Sequence, residues 1–159
     1  MERKVYDLKK DPHHDLYRGL IDFALRNCPL GLLVLRPDKD LEEGGRDLLA
    51  SLQPYVDSEE RSDCWPGTRL LLGAQATLFY FRLEPGSARL LKAATDHLYG
   101  WCHPELPEDL CFLNADRTPW LATIAQEEDG FLRLTEWEMR QLLHALPDLR
   151  IAPAQTSAA

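Results

Sequence analysis

The sequence predicts an α+β fold in which an antiparallel sheet of about five or six strands packs against three to four helices. Three observations lead to this prediction. Short β-rich segments in the C-terminal half are joined by turns of a few residues, and connections that short allow only antiparallel pairing. Apolar residues before and after them recur at helical spacing. The 159 residues are enough for a single domain with one core that needs no disulfides.

The N-terminal part, residues 1–56, is predicted to form a helix, a strand and a second helix. Asp11-Pro12 suits a helix start, because aspartate can accept from free N–H groups and proline fits the first turn. The apolar run Gly31–Leu35 is typical of a buried strand. Leucines within residues 48–52 then recur at helical spacing and predict the second helix.

A polar segment, residues 57–67, is predicted to be a mobile linker or boundary before the main body at residues 68–147. It ends with Trp65 beside Pro66-Gly67. We interpret this tryptophan as a plug over the core, because large aromatic side chains are mostly buried; an exposed contact residue is the alternative. The small, polar tail at residues 148–159 is typical of a disordered terminus.

The main body is predicted to begin with two strands and a helix, and to end with a three-stranded meander and a capped helix. The first helix has a buried stripe that ends at Trp101, and His97 lies at the edge of that stripe. Thr135 and Glu138 match a capping box, in which each side chain accepts from the backbone N–H of the other. The predicted strands cover residues 68–72, 76–83, 110–113, 120–124 and 131–134.

The charge balance favours a protein partner. The chain has 26 acidic and 18 basic residues, for a net charge of -8, which argues against nucleic acid because phosphate binding needs a basic face. An acidic surface suits a basic protein partner. The N-terminus has no apolar core typical of a signal peptide, and no apolar run reaches the length of a membrane span. We therefore expect no membrane association, a cytoplasmic location and reduced cysteines.

The sequence contains no known motif for a metal site, a catalytic nucleophile or a phosphate-binding loop. No C-x-x-C pair, G-x-S-x-G elbow, Walker motif or G-x-G-x-x-G loop occurs in the chain. The segment His13-His14-Asp15 is interpreted as an exposed first helical turn, because adjacent helical residues point about 100° apart. We expect no cofactor, no bound metal and no assigned catalytic residue. Whether Cys102, Cys111, His97 and His103 share a metal stays open at this point.

Two acidic clusters and several tryptophans near the predicted meander are the main functional candidates. Paired carboxylates can act as acid and base, whereas charge runs usually form a solvated rim. Carboxylates beside tryptophans also suit a protein interface, where aromatic residues anchor and charges add specificity. The predicted binding residues are Trp65, Trp101, His103, Glu105, Glu108, Asp109, Glu127, Glu128 and Asp129.

One sequence pattern resembles small uncharacterised bacterial α+β proteins over roughly residues 68–146. The pattern consists of Trp101, Pro104, Leu106-Pro107-Glu108-Asp109-Leu110, Asp116, Trp120-Leu121, Glu127, Asp129 and the Leu134–Glu138 cap. The chain is also similar in kind to immunity proteins, which are small acidic bacterial proteins that neutralise a toxin. That similarity implies a protein that occludes a basic partner site with acidic loops, and it assigns no individual residue. A small hydrolase or transferase that uses carboxylates is the alternative.

Overall fold

A computed structural model describes residues 2–155 and shows four α-helices with one large and one small sheet. Short 3-10 turns lie at residues 53–55, 98–100 and 125–127. The helices are α1 (Asp15–Asn27), α2 (Glu43–Leu52), α3 (Pro85–Ala94) and α4 (Glu136–Ala145). The strands are β1 (Arg3–Leu8), β2 (Leu30–Leu35), β3 (Val56–Ser62), β4 (Cys64–Trp65), β5 (Thr68–Arg69), β6 (Ala76–Arg82), β7 (Glu108–Leu113), β8 (Pro119–Ile124), β9 (Asp129–Thr135) and β10 (Ile151–Pro153).

The large sheet has eight strands in the order β10-β1-β9-β8-β7-β2-β6-β3, and neighbouring strands are antiparallel. The predicted α+β class is confirmed, but the predicted count of five or six strands is too low. Of the missed strands, β10 and β3 are the two edge strands of the sheet, and β1 lies next to β10. Edge strands are often polar, and β3 reads VDSEERS, so neither a continuous apolar run nor a clean alternation marks it in the sequence.

Two predicted irregular segments are ordered strands. The expected linker at residues 57–67 instead supplies most of β3, which pairs with β6, and the first strand of the β4–β5 hairpin. The expected disordered tail begins at residue 148, yet Ile151 pairs with Leu8 in the β10–β1 ladder. Residues 156–159 lie outside the described part of the chain. In both segments, backbone pairing with a distant strand supplies the order that local composition does not indicate.

The helices bury one face of the sheet, and the β4–β5 hairpin shields part of the other. The helix side is the larger core and includes Trp101, whose Nε1 donates to the Tyr17 hydroxyl at 2.9 Å. The smaller core on the opposite face includes Trp65, which is 6% exposed, in line with its interpretation as a plug. The capping box at Thr135 and Glu138 is confirmed. No helix within residues 2–155 is long and apolar enough to span a membrane.

Candidate functional site

The first candidate site is built on a pair of neighbouring carboxylates, Glu108 and Asp109, at the start of β7. Both residues are completely buried. Successive side chains of a regular strand point to opposite faces, but here both carboxylates approach Arg36. The β2–β7 register shifts beside Glu108, and Asp109 has a left-handed φ of 57°. Such irregularities re-aim side chains, and this one brings two negative charges to one guanidinium.

Glu108 has partners on both carboxylate oxygens. Its Oε2 accepts from the Arg36 Nε. Its Oε1 accepts from the Gln126 Nε2 at 3.1 Å and lies 3.4 Å from the His103 Nδ1. Burial alone would raise the pKa of Glu108, but the nearby His103, Arg36 and Gln126 outweigh it and lower the pKa to about 2. Glu108 is therefore an ionised anchor at neutral pH.

Asp109 connects β7 to two exposed elements of the surface. Its Oδ1 accepts from the backbone N–H of Ala125 at 2.9 Å, and its Oδ2 accepts from the Trp65 Nε1 at 2.9 Å. Burial raises the pKa of Asp109 above its usual value, the hydrogen bonds from Trp65 and Ala125 oppose that rise, and the charge of Glu108 adds to it. Every oxygen of the two carboxylates thus accepts from this chain, which leaves the pair poorly placed to exchange protons with a substrate.

The cysteines near this pair lack the character of nucleophiles. The Cys102 thiol donates to the Glu108 Oε1 at 3.6 Å, and burial together with that negative charge raises its pKa to about 11. The Cys111 thiol donates to the Asp109 carbonyl at 3.3 Å, and burial raises its pKa to about 12. Because the thiolate is the reactive form, neither cysteine is activated in this environment.

The buried pair joins two parts of the surface at one end of the sheet. One is the β4–β5 hairpin, whose Trp65 also lies 5.3 Å from the Arg36 guanidinium. The other is the acidic turn, residues 126–129, whose backbone is held at Ala125. A cavity of about 360 Å³ separates them, and its lining includes Arg36, Arg69 and Glu127. The buried pair therefore sets the position of the hairpin relative to the acidic turn.

The structure separates the predicted binding residues into exposed and buried groups. Glu105, Glu127, Glu128 and Asp129 are exposed. Glu105 lies apart, in a groove lined by α2 and α3 residues.

The other predicted binding residues are mostly enclosed. Trp101, Glu108 and Asp109 are fully buried, and Trp65 and the His103 side chain are nearly so. The reason is that residues 108–109 already belong to β7, where Arg36 compensates their charge, and Trp101 belongs to the helix-side core.

Two exposed leucines extend the surface next to the hairpin. Leu71 and Leu72 follow β5 and are 77% and 105% exposed. Leu72 has a left-handed φ of 59°, and the Ala74 N–H donates to the Leu71 carbonyl across the turn. Neighbouring Leu70 packs against the smaller core, so the chain is anchored in the protein immediately before the two exposed leucines. Adjacent exposed leucines are typical of contact surfaces.

A second polar cluster combines Asp11, His13 and His97. The Asp11 Oδ2 lies 2.7 Å from the His97 Nδ1 and 3.4 Å from the His13 Nε2. The predicted helix start at Asp11 is wrong: α1 begins at Asp15, and the Asp11 Oδ1 accepts from the Tyr99 N–H instead. The residues lie up to 86 positions apart, so no sequence spacing indicates the cluster.

The Cys/His set considered from the sequence does not assemble around one point. His97 lies beside Asp11 and His13, whereas Cys102 and His103 contact Glu108. Within residues 2–155, Asp11, His13 and His97 form the one group of three side chains whose ligand atoms converge for a metal.

Searches of protein-family models, curated proteins and solved structures find no match to this chain. The function therefore has to be inferred from the chemistry of these residues.

Proposed function

We propose that this chain is a protein-binding module that contacts its partner with the hairpin end of the sheet. The contact surface consists of Leu71, Leu72 and the acidic turn at residues 126–129. Its most concrete form is an immunity-type protein that neutralises a toxin by covering a basic site with the acidic turn. The buried link between these two surface elements, through Glu108 and Asp109, is the observation that carries the proposal.

Burying two carboxylates beside one arginine is a costly way to hold loops. Burying an ion costs on the order of several kcal/mol of lost hydration. The attraction between the buried charges offsets this cost only when their remaining donors and acceptors are well hydrogen-bonded. Apolar packing of similar volume often stabilises a protein as well or better. What a satisfied buried polar network supplies in addition is one defined arrangement. Here it fixes the relative positions of Trp65 and Ala125, and hence of the two exposed elements.

The exposed chemistry of this surface points to a partner with basic groups beside an apolar surface. Glu127, Glu128 and Asp129 are exposed and carry three negative charges within one turn. Such charges accelerate the encounter with a basic surface and reject acidic ones. Leu71 and Leu72 add apolar area that water contacts in the free protein. A nucleic-acid-binding or phosphate-binding catalytic cleft in the partner has the complementary charge.

Site-specific photo-crosslinking in extracts of the native host tests this proposal. A photoreactive residue in place of Leu72 or Glu128 should capture the same protein. The same residue in place of the exposed Arg140 on α4 should not capture it. Capture from all three positions, or different proteins from positions 72 and 128, would contradict a shared contact surface.

Charge reversal then measures the contribution of the acidic turn. The triple variant Glu127→Lys, Glu128→Lys, Asp129→Lys should weaken binding of the purified partner by more than about tenfold. The matched control reverses Glu42, Glu43 and Asp47, which are exposed on or next to α2 and give the same change in net charge. Equal weakening by both triples would show general charge attraction, and unchanged affinity in the first triple would remove the acidic turn from the surface.

A further inference from the structure

We infer that Asp11, His13 and His97 form a binding site for a divalent transition-metal ion of the Zn²⁺ type. Two imidazoles and one carboxylate are a ligand set that zinc and other first-row metals accept, with further positions left for water or substrate. The ligand atoms of the three side chains all lie within 4.8 Å of one another. None of the three ligands belongs to the protein-binding surface described above, although Glu128 of the acidic turn lines the adjoining cavity.

The spacing of the ligand atoms fits a tetrahedral ion. Ligands about 2.0–2.2 Å from zinc lie roughly 3.3–3.6 Å from each other. The Asp11 Oδ2 and the His13 Nε2 are 3.4 Å apart, which matches that spacing. The Asp11 Oδ2 and the His97 Nδ1 are 2.7 Å apart, which is a hydrogen-bond distance. This distance has to increase by less than about 1 Å for both atoms to bind one ion.

The backbone holds the two contributing segments together before any ion binds. His13 and His97 pair as an antiparallel bridge, with the His14 N–H donating to the Asp96 carbonyl at 2.6 Å. On the other side, the Leu98 N–H donates to the Pro12 carbonyl at 3.1 Å. These bonds place both histidines without using their rings, and the ring nitrogens face the Asp11 carboxylate, which would be the third ligand.

The carboxylate is oriented as metal-binding carboxylates usually are. Its Oδ1 accepts from the Tyr99 N–H at 3.2 Å, and its Oδ2 faces both imidazoles. A hydrogen bond to the outer oxygen fixes the ligand, and such supporting contacts contribute strongly to metal affinity. Asp11 is one-fifth exposed and His13 one-half exposed, so an ion can reach the site from solvent.

A cavity next to the cluster is lined by a buried polar residue, Tyr99. Tyr99 is 7% exposed, and its hydroxyl has no hydrogen-bond partner within residues 2–155. Tyr99 lines a cavity of about 280 Å³ together with Asp11, His13 and Glu128. Buried polar groups are nearly always satisfied, and a water or anion in this cavity would supply the missing partner. Lys9 and Lys10 line the same cavity and suit an anion there.

One rearrangement is required, and it is specific. The rings of His13 and His97 stack with centroids 4.9 Å apart and planes 8° apart. Each imidazole lone pair lies in its ring plane, so the two parallel rings cannot both point at one ion. His13 is the ring that can tilt, because its side chain is half exposed. A structure with metal bound should show this tilt and little change at His97.

Titration of the untagged full-length chain with Zn²⁺, followed by calorimetry, tests the site. We expect one ion per chain. His13→Gln should weaken Zn²⁺ binding by at least about tenfold without changing the melting temperature in the presence of a chelator, because His13 is the most exposed ligand. His97→Asn and Asp11→Asn should act in the same direction. Asp11→Asn also loses a charge next to Tyr99, so its folding is checked by circular dichroism.

The matched control is His14→Gln, since His14 adjoins the site but its Nδ1 lies near Asp96. Its affinity for Zn²⁺ should equal that of the wild type. Co²⁺ supplies a second measurement, because nitrogen and oxygen ligands give visible d–d bands without the near-ultraviolet thiolate band that Cys64 or Cys102 would add. Unchanged Zn²⁺ binding in His13→Gln, equal losses in His14→Gln, or a cobalt–thiolate band would overturn the assignment.

Discussion

The two polar clusters of this protein both combine carboxylates with nitrogen donors, yet they differ in how completely the protein satisfies their carboxylate oxygens. Glu108 and Asp109 are fully buried, and all four of their oxygens have partners within the chain. The cluster of Asp11, His13 and His97 is partly exposed and directs one carboxylate oxygen at two rings. Carboxylates whose oxygens are all satisfied inside the protein hold structure, whereas a partly exposed carboxylate that faces two imidazoles can hold a ligand.

The difference also shows what a shifted pKa indicates in this chain. The largest carboxylate shift is at Glu108, whose pKa falls to about 2. Shifted groups often mark functional sites, but structural ion pairs shift as well. Within the two clusters, the carboxylates with shifted pKa values are Glu108 and Asp109, which solvent does not reach. The comparison predicts that mutations in the buried pair change folding, and that mutations in the histidine cluster change binding.

The largest effect should follow the loss of Arg36. The variant Arg36→Met leaves two buried carboxylates without their cation, and breaking a buried pair in this way costs about 3–5 kcal/mol. Urea denaturation measures the loss in the free energy of unfolding. Adding Glu108→Gln to this variant should restore part of the stability, because it removes one uncompensated charge. Arg140→Met, at an exposed pair with Glu136, should cost less than about 0.5 kcal/mol.

Acid should weaken the fold through Glu108. Its folded-state pKa of about 2 lies below the ordinary glutamate pKa of 4.5, so its contribution to stability is present above pH 4.5 and is lost as the pH falls towards 2. The raised pKa of Asp109 has the opposite sign and offsets part of this loss. Glu108→Gln should be less stable than the wild type at neutral pH. Between about pH 5 and pH 2, the wild type should lose more free energy of unfolding than this variant, and the difference should be about 3 kcal/mol. Parallel curves for the two proteins would contradict this role.

A smaller effect should follow Trp65→Phe, which removes one hydrogen bond and keeps most of the ring. The Asp109 Oδ2 would then retain only the Arg36 Nη2 at 3.9 Å. Leaving a buried acceptor unpaired costs about 1–3 kcal/mol in the free energy of unfolding. Trp137→Phe is the control, because Trp137 is 59% exposed, and it should stay within about 0.5 kcal/mol of the wild type. Equal losses in the two variants would mean that the hydrogen bond from Trp65 to Asp109 adds no measurable stability.

The sequence predicts the centre of the fold better than its edges. Strands β7, β8 and β9 lie within a few residues of their predicted positions, because central strands carry continuous apolar signals. A capping box predicts the start of α4, because all of its interacting groups are local. Strands β1, β3 and β10 were missed because their order comes from partners elsewhere in the chain.

Neither polar cluster could be predicted from sequence, for the same reason. Glu108 resembles part of a solvated acidic run until Arg36 is found beside it, 72 residues away. Asp11 resembles a helix cap until His97 and Tyr99 are found against it. Local patterns report what a residue does for its own turn or strand. The charge state and partners of these side chains depend on contacts that only the folded chain creates.

The smallest expected effect on stability comes from Tyr99→Phe, and it separates the two kinds of cluster most sharply. The Tyr99 hydroxyl has no partner within residues 2–155, so deleting it removes no bond and relieves an unsatisfied buried group. With a chelator present, the free energy of unfolding should stay the same or rise by up to about 1 kcal/mol. If the hydroxyl serves a ligand of the bound metal, the same variant should bind Zn²⁺ more weakly, by about tenfold. A loss of stability with unchanged Zn²⁺ affinity would place Tyr99 with the buried structural groups, beside Glu108 and Asp109.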